Sequence, residues 1–441
     1  MMIAGIETER ADLFDVSILI AMRIHIKGRV NESRIREAFD NAVNVHEILK
    51  SRVVIESDGR AFYDTKCQAD GGFEATVETV VEGMQQQGAA GKKAKNDHYE
   101  KENLNSIIYE NTAWRDIIKQ EEKKRFRIEE GEFLKAFCYE SSDEGCKILF
   151  LMHHLGGDGK SLVYFIETFM RFLSGERPTA SEIRTIPAGD MDDKSLRDRI
   201  GPAYLFPKVF NNRWNKDDKR RTFGFDDMND AYEEYWKDRE SVINEHVIPT
   251  ETVAKILERC RQWKVGFTAY VTTAFLRRMV KKADIGYAVD ARKDGNRCMG
   301  NQATGISIKY AYDYNRSFRE NVIKVQKLMD KKLEDDELRE FILPFMASFE
   351  PTLVDAINLE HAGTFTSKAS KSLAKLMGYG KKTKDLSITN LTRLDIPDTY
   401  GELKISYFSF IPPVVSYGKN IIGLSTLGEN TVMTVHRIIK N

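Results

Sequence analysis

Lys147-Ile148-Leu149-Phe150-Leu151-Met152-His153-His154-Leu155-Gly156-Gly157-Asp158-Gly159-Lys160-Ser161 decides how the rest of the chain is read. It opens as an apolar strand that stops at two adjacent histidines. Three glycines within four positions then predict a tight turn, because glycine reaches backbone angles that a Cβ resists. Leu162, Phe165, Ile166, Phe169 and Leu173 recur at the spacing of one buried helical face, so a helix begins near Asp158. A carboxylate at a helix start accepts backbone N–H groups that have no partner in the first turn, and Asp158 reads as that cap. Neighbouring side chains at a strand end point to opposite sides, so His153 and His154 divide their roles: one packs inward, the other faces a cavity.

Upstream, Ser17–Lys27 alternates, with Ile18, Ile20, Met22, Ile24 and Ile26 on one face and Arg23, His25 and Lys27 on the other, which predicts a half-buried strand. Asn31 caps a helix carrying Ile35, Ala38, Phe39, Ala42 and Val43, and strands Ile48–Glu56 and Arg60–Asp64 follow as a hairpin. Gln85–Asp97 has no large apolar residue and reads as a mobile loop. A helix around Thr112–Lys124 and a strand Phe133–Glu140 lead into the key stretch.

Downstream, no proline occurs before Pro178 and four appear by Pro207, in charged sequence that runs to about Tyr235. Such a shift marks a crossover between two cores. A second pattern of strands and helices starts at Ser241–Ile248 and closes with strands Leu386–Asn390, Leu403–Ile411, Asn420–Leu427 and Thr431–Ile438. The fold class is therefore α+β, with a first lobe over residues 1–175, a crossover over 176–235 and a second lobe over 236–441.

In 441 residues, 67 lysines and arginines balance 67 aspartates and glutamates, which removes the electrostatic footprint of a nucleic-acid binder. Five scattered cysteines, Cys67, Cys138, Cys146, Cys260 and Cys298, lack paired spacing and point to a reducing compartment without structural zinc. Charge returns at Glu7, too early for a signal peptide, and no uncharged apolar run approaches the ~18–20 residues that span a bilayer. A cytoplasmic protein is expected.

The run His153-His154-Leu155-Gly156-Gly157-Asp158-Gly159 matches the HHxxxDG signature and resembles the condensation-domain and CoA-dependent acyltransferase superfamily, which includes chloramphenicol acetyltransferases, alcohol acetyltransferases and nonribosomal peptide synthetase condensation domains. Weaker likenesses follow in order: His46-Glu47-Ile48-Leu49-Lys50-Ser51-Arg52, Val247-Ile248-Pro249-Thr250, Met299-Gly300-Asn301 and Ser387-Ile388-Thr389-Asn390-Leu391. The plant enzymes' DFGWG motif is absent; Val414-Val415-Ser416-Tyr417-Gly418 stands in its region. The resemblance implies two chloramphenicol-acetyltransferase-like lobes, each a mixed sheet flanked by helices, with a tunnel between them. It makes His154 the catalytic histidine and gives Asp158 a structural pairing with an arginine. Arg292 is the candidate partner, although by position alone it reads equally as a surface residue. Gly159 would let substrate approach the backbone.

Acyl transfer from a thioester to a hydroxyl or amine needs a base for the acceptor's proton, and a histidine suits that task at neutral pH. His154 takes the role, while His153 reads as a packed, hydrogen-bonded residue. Backbone N–H groups near Gly159, with the side chains of Thr389 or Asn390, are the candidates to hold the oxyanion. The donor is acyl-CoA or an acyl group on a carrier protein's phosphopantetheine arm, used as co-substrate with no bound cofactor, and the acceptor is a small alcohol or amine. A chain with no adenylation or carrier segment is expected to act alone, which favours free acyl-CoA over the carrier. Two rivals use the same residues. Gly159-Lys160-Ser161 resembles the end of a phosphate-binding loop, but His154 stands where that loop needs glycine. Metal binding fails because adjacent strand residues diverge and no third ligand has a recognisable spacing. A non-catalytic interaction module is the remaining alternative.

Overall fold

The structure, a computed structural model, describes residues 2–65, 77–79, 113–187, 192–279, 281–293, 295–379, 383–416 and 418–441. The expected loop Gln85–Asp97 lies outside them, as do Cys67 and Tyr417. In the first half the strands are β1 (Met2–Gly5), β2 (Leu19–Lys27), β3 (Arg52–Ile55), β4 (Ala61–Asp64), β5 (Val77–Thr79), β6 (Leu134–Ser142) and β7 (Gly145–His153). The helices there are α1 (Glu32–Val45), α2 (Ala113–Glu121) and α3 (Gly159–Leu173). The second half contributes β8 (Arg239–Ile248), β9 (Ala283–Asp290), β10 (Ala303–Tyr310), β11 (Leu386–Arg393), β12 (Thr399–Tyr400), β13 (Leu403–Ile411), β14 (Ile421–Leu427) and β15 (Asn430–Lys440).

Two six-stranded mixed sheets carry the two lobes, in the orders β12-β13-β2-β7-β6-β5 and β10-β9-β11-β14-β15-β8, with a small sheet β1-β4-β3 beside the first. β7 is central: its run Ile148–Met152 is apolar and buried throughout, and fully burying each such side chain contributes ~1.5–3 kcal/mol. α1 and α3 pack together over this sheet: Asn31 caps α1 by accepting from Arg34 N at 2.8 Å, and Phe39 on α1 meets Phe165 on α3 and Phe150 on β7.

Three features depart from the sequence reading. The strand expected from Ile48 begins only at Arg52, because the Ser51 hydroxyl donates to the Ile48 carbonyl at 2.7 Å and closes a 3-10 turn over Glu47–Lys50. β2 is covered on both faces rather than half-buried. Arg23 is 1% exposed, stacked between the rings of Trp114 (4.4 Å) and Tyr407 (4.8 Å) and ion-paired with Glu245 of β8. Residues Thr399–Ile411, assigned above to the second lobe, instead join the first lobe's sheet, where β13 runs antiparallel to β2 from Lys404 opposite Lys27 to Ile411 opposite Ala21. Helices Pro351–Ala362 and Lys368–Met377 likewise bury Leu353, Ile357 and Leu373 in the core that holds Phe150 and Phe165. A second core, around Ile285, Val322, Val325 and Ile422, lies within the second sheet and its helices. Among the described residues no helix is long and apolar enough to cross a membrane.

Candidate active site

The histidine pair sits where β7 ends. His153 is its last residue, and His154 opens a 3-10 turn over His154–Gly156 that leads into α3. Gly157 holds φ +145, and a Cβ there would lie 2.4 Å from the Ser161 Cβ, so only glycine passes between turn and helix. The two imidazoles diverge. His153 is 2% exposed, accepts the Leu155 N–H on Nδ1 at 3.2 Å and packs against Phe126. Burial, then the neighbouring charges of His154 and Arg125, push it down to about 3, so it stays neutral. Since Nδ1 accepts, its proton is on Nε2.

His154 keeps 16% of its side chain exposed, yet among the described residues its buried Nδ1 has no hydrogen-bond partner. The Asp12 carboxylate faces that atom, with Oδ2 3.5 Å away. Asn301 Nδ2 donates to the same Oδ2 at 2.7 Å. Burial raises the Asp12 carboxyl above its ordinary 3.8, while His154 and the Asn301 hydrogen bond pull it down. The Tyr63 hydroxyl lies 2.9 Å from the Leu155 carbonyl and 3.0 Å from Glu9 Oε1. A phenol has one proton for these two oxygens. Burial pushes Glu9 up to about 8, so at neutral pH Glu9 is an acid that can donate to Tyr63, while Tyr63 holds the turn.

Asp158 caps α3 through Oδ1, which accepts Ser161 N at 2.9 Å. The same carboxylate takes a two-pronged ion pair from Arg292, Nη1 to Oδ2 at 2.8 Å and Nη2 to Oδ1 at 2.9 Å, and the Gln302 N–H at 2.9 Å. Both side chains are buried, at 4% exposure for Arg292 and 5% for Asp158. Burial works against the guanidinium's charge, but Asp158 and Asp290 together outweigh it and hold Arg292 above its ordinary range. Ser161 completes the clasp by accepting from Arg292 Nη2 (2.8 Å) and donating to the Gly300 carbonyl (2.9 Å). The two halves of the chain are thus locked at the turn.

Gly159 begins α3 facing Leu391 of β11 and Phe410 of β13; a Cβ would meet each at 3.2 Å. Thr389 and Asn390 precede Leu391 on β11. The Asn390 amide is engaged, Nδ2 donating to Thr268 Oγ1 at 2.8 Å and Oδ1 accepting Thr392 N at 2.8 Å. Lys160, the cation a phosphate-binding loop would use, is tied to Asp290 at 2.9 Å, and Asp158 takes the Ser161 N–H. The structure therefore gathers His153, His154, Asp158, Gly159 and Arg292 around one turn. It adds Asp12, which the sequence reading missed, and gives Ser161 and Asn301 contacts that the stretches quoted for them did not assign. Asp12 and Asn301 stand 289 positions apart, and no local pattern joins them, although Asn301 lay in a quoted likeness and Ser161 two residues after Gly159.

No family model matches the sequence, and no curated protein matches it. Solved structures do. The first condensation domain of the calcium-dependent antibiotic synthetase, in complex with a substrate analogue, superposes with a TM-score of 0.60 at 13% identity, covering 97% of this chain and 88% of that one. Polyketide synthase associated protein 5 from Mycobacterium tuberculosis gives 0.58 at 11% identity over 100% and 94%. The epimerization domain from the third module of tyrocidine synthetase B gives 0.56 at 11% over 96% and 86%. The chain has the two-lobed fold seen in these solved condensation domains.

Proposed function

We propose that the protein is an acyltransferase, moving an acyl group from a thioester to a hydroxyl or amine with His154 as the general base. One observation carries this reading: His154 alone of the pair is partly open, at a junction clasped by Asp158 and Arg292, in a fold shared with condensation domains. His154 Nε2 takes the acceptor's proton as its oxygen or nitrogen attacks the thioester carbonyl. The oxyanion that forms gathers donors from the backbone at the start of α3 and from Thr389, and collapse expels the thiolate, which recovers the proton from His154. Asn390, whose Nδ2 gives one hydrogen to Thr268, has a second N–H to offer the oxyanion. The substrates enter through a tunnel between the lobes.

The donor is acyl-CoA or an acyl group on a carrier protein's phosphopantetheine arm. The carrier reading gains from neighbours that are condensation, epimerization and cyclization domains of synthetases. A thiol-release assay tests both, using acyl-CoAs of increasing length and acylated carriers against a panel of alcohols and amines. Release that requires an acceptor, and that falls at least ~10²-fold in His154→Ala with unchanged melting, is the expected result. Undiminished release by His154→Ala would remove the base, and silence with every donor would leave a binding module.

A further inference from the structure

His154 Nδ1 is sealed from solvent and has no hydrogen-bond partner among the described residues, and the group that faces it is a carboxyl from a distant segment. A neutral imidazole has one N–H and one lone pair. Asp12 Oδ2 accepts from Asn301 Nδ2, so a lone pair on Nδ1 would face another lone pair at 3.5 Å, whereas an N–H there meets it favourably. Asp12 is not free to turn away. It ends the 3-10 turn Arg10–Asp12, in which Arg10 is gripped by buried Asp355 through Nε at 2.8 Å and Nη2 at 2.5 Å, and Asn301 holds Oδ2 at 2.7 Å. Resting on His154 as the base, we infer that Asp12 is its positioning residue: the carboxylate, oriented by Asn301, keeps the imidazole proton on Nδ1 and leaves Nε2 as the proton acceptor.

Two consequences follow. The adjacent histidines are opposite tautomers, since the Leu155 N–H leaves His153 protonated on Nε2. When His154 takes the acceptor's proton, the imidazolium also forms beside a negative charge, which lowers the cost of the step without touching substrate. Asn301 belongs to the second half of the chain and Asp12 to the first, so the base is correctly set only when the segment around Gly300 is docked against the motif.

The test combines histidine-selective ¹⁵N NMR with kinetics on the full chain. In the wild type the His154 ring should show the Nδ1–H form and the His153 ring the Nε2–H form. Asp12→Asn should move His154 toward Nε2–H and lower kcat by ~10²-fold while KM stays within about threefold. Asp12→Glu should recover part of kcat and the tautomer, and Asp12→Asn should cost nothing further in a His154→Ala background. Asn301→Ala gives the second route if Asp12→Asn does not fold, with a smaller fall in kcat and the same tautomer drift. An unchanged tautomer with unchanged kcat in both variants would overturn the inference while leaving the acyltransferase reading intact. If no donor is turned over, that reading fails, and the tautomers still decide the role of Asp12.

Discussion

Arg292 shows what one residue carries. It brings two hydrogen bonds to a carboxylate that also caps α3 and accepts the Gln302 N–H, and almost nothing of the pair reaches solvent. Removing one partner of a buried pair leaves the other charge uncompensated, so Arg292→Ala should cost ~3–5 kcal/mol in chemical denaturation. Asp158→Asn should cost a similar amount, and the double variant less than the sum, because the second change removes a charge already stranded. Additive losses would mean that the two side chains act independently. Here sequence went a long way. Asp158 was legible as a cap because capping is local, spanning only the three positions to Ser161. The choice of Arg292 came from resemblance, since a separation of 134 residues has no periodicity to betray it.

At the scale of elements, β13 decides how the halves are joined. It pairs along β2 in the first sheet, and its end then meets the second sheet at Gly423 of β14. A Cβ on Gly423 would lie 2.5 Å from the Phe410 carbonyl oxygen and 2.5 Å from Thr434 Oγ1, which themselves share a 2.6 Å hydrogen bond. Gly423→Ala must separate that contact and should lower stability by ~1–3 kcal/mol, read as a fall in Tm. Thr434→Val, which removes only the hydrogen bond, should cost less, ~0.5–1.5 kcal/mol. Equal stability for Gly423→Ala and the wild type would show that the junction is slack. Strand 403–411 was visible in the sequence by its apolar alternation, but its sheet was not. Alternation records that a strand has a buried face and carries no information about which strand lies beside it.

The whole molecule stores ionisable groups between its halves. Glu122, next to α2 in the first half, accepts the backbone N–H of Ser241 on β8 at 3.1 Å, and Ser241 Oγ meets His436 Nε2 at 2.8 Å on β15. Burial raises Glu122 from 4.5 to about 7, against the opposing pull of Ser241. The native state therefore holds this proton more tightly than the unfolded chain does, and the carboxyl's contribution is lost as pH rises from about 4.5 through about 7. Glu122→Gln keeps the acceptor oxygen and removes the titration. Its Tm relative to wild type should climb between pH 4.5 and pH 8, and a flat difference would contradict the assignment. The buried histidines act at the other end. His46 and His436 are held down to about 4 by burial and His153 to about 3 by burial with Arg125 nearby, so the unfolded chain takes protons first and stability falls as pH drops below 6.5.

The amino-acid sequence by itself determined the strand, the glycine turn, the cap at Asp158 and the helix behind it, because each depends on neighbours a few residues away. Through its place in the motif it also singled out His154 as the member of the pair proposed as the base. Tertiary structure alone decided that Arg23 is buried in a strand that reads as half-exposed, that residues 399–411 complete the first lobe's sheet, and that Asp12 and Asn301 meet at His154. The physical reason is the same in each case. Local propensity and periodicity describe a residue's own element, whereas burial, ion pairing and the tautomer of a base depend on the surface that folding brings against it from hundreds of residues away.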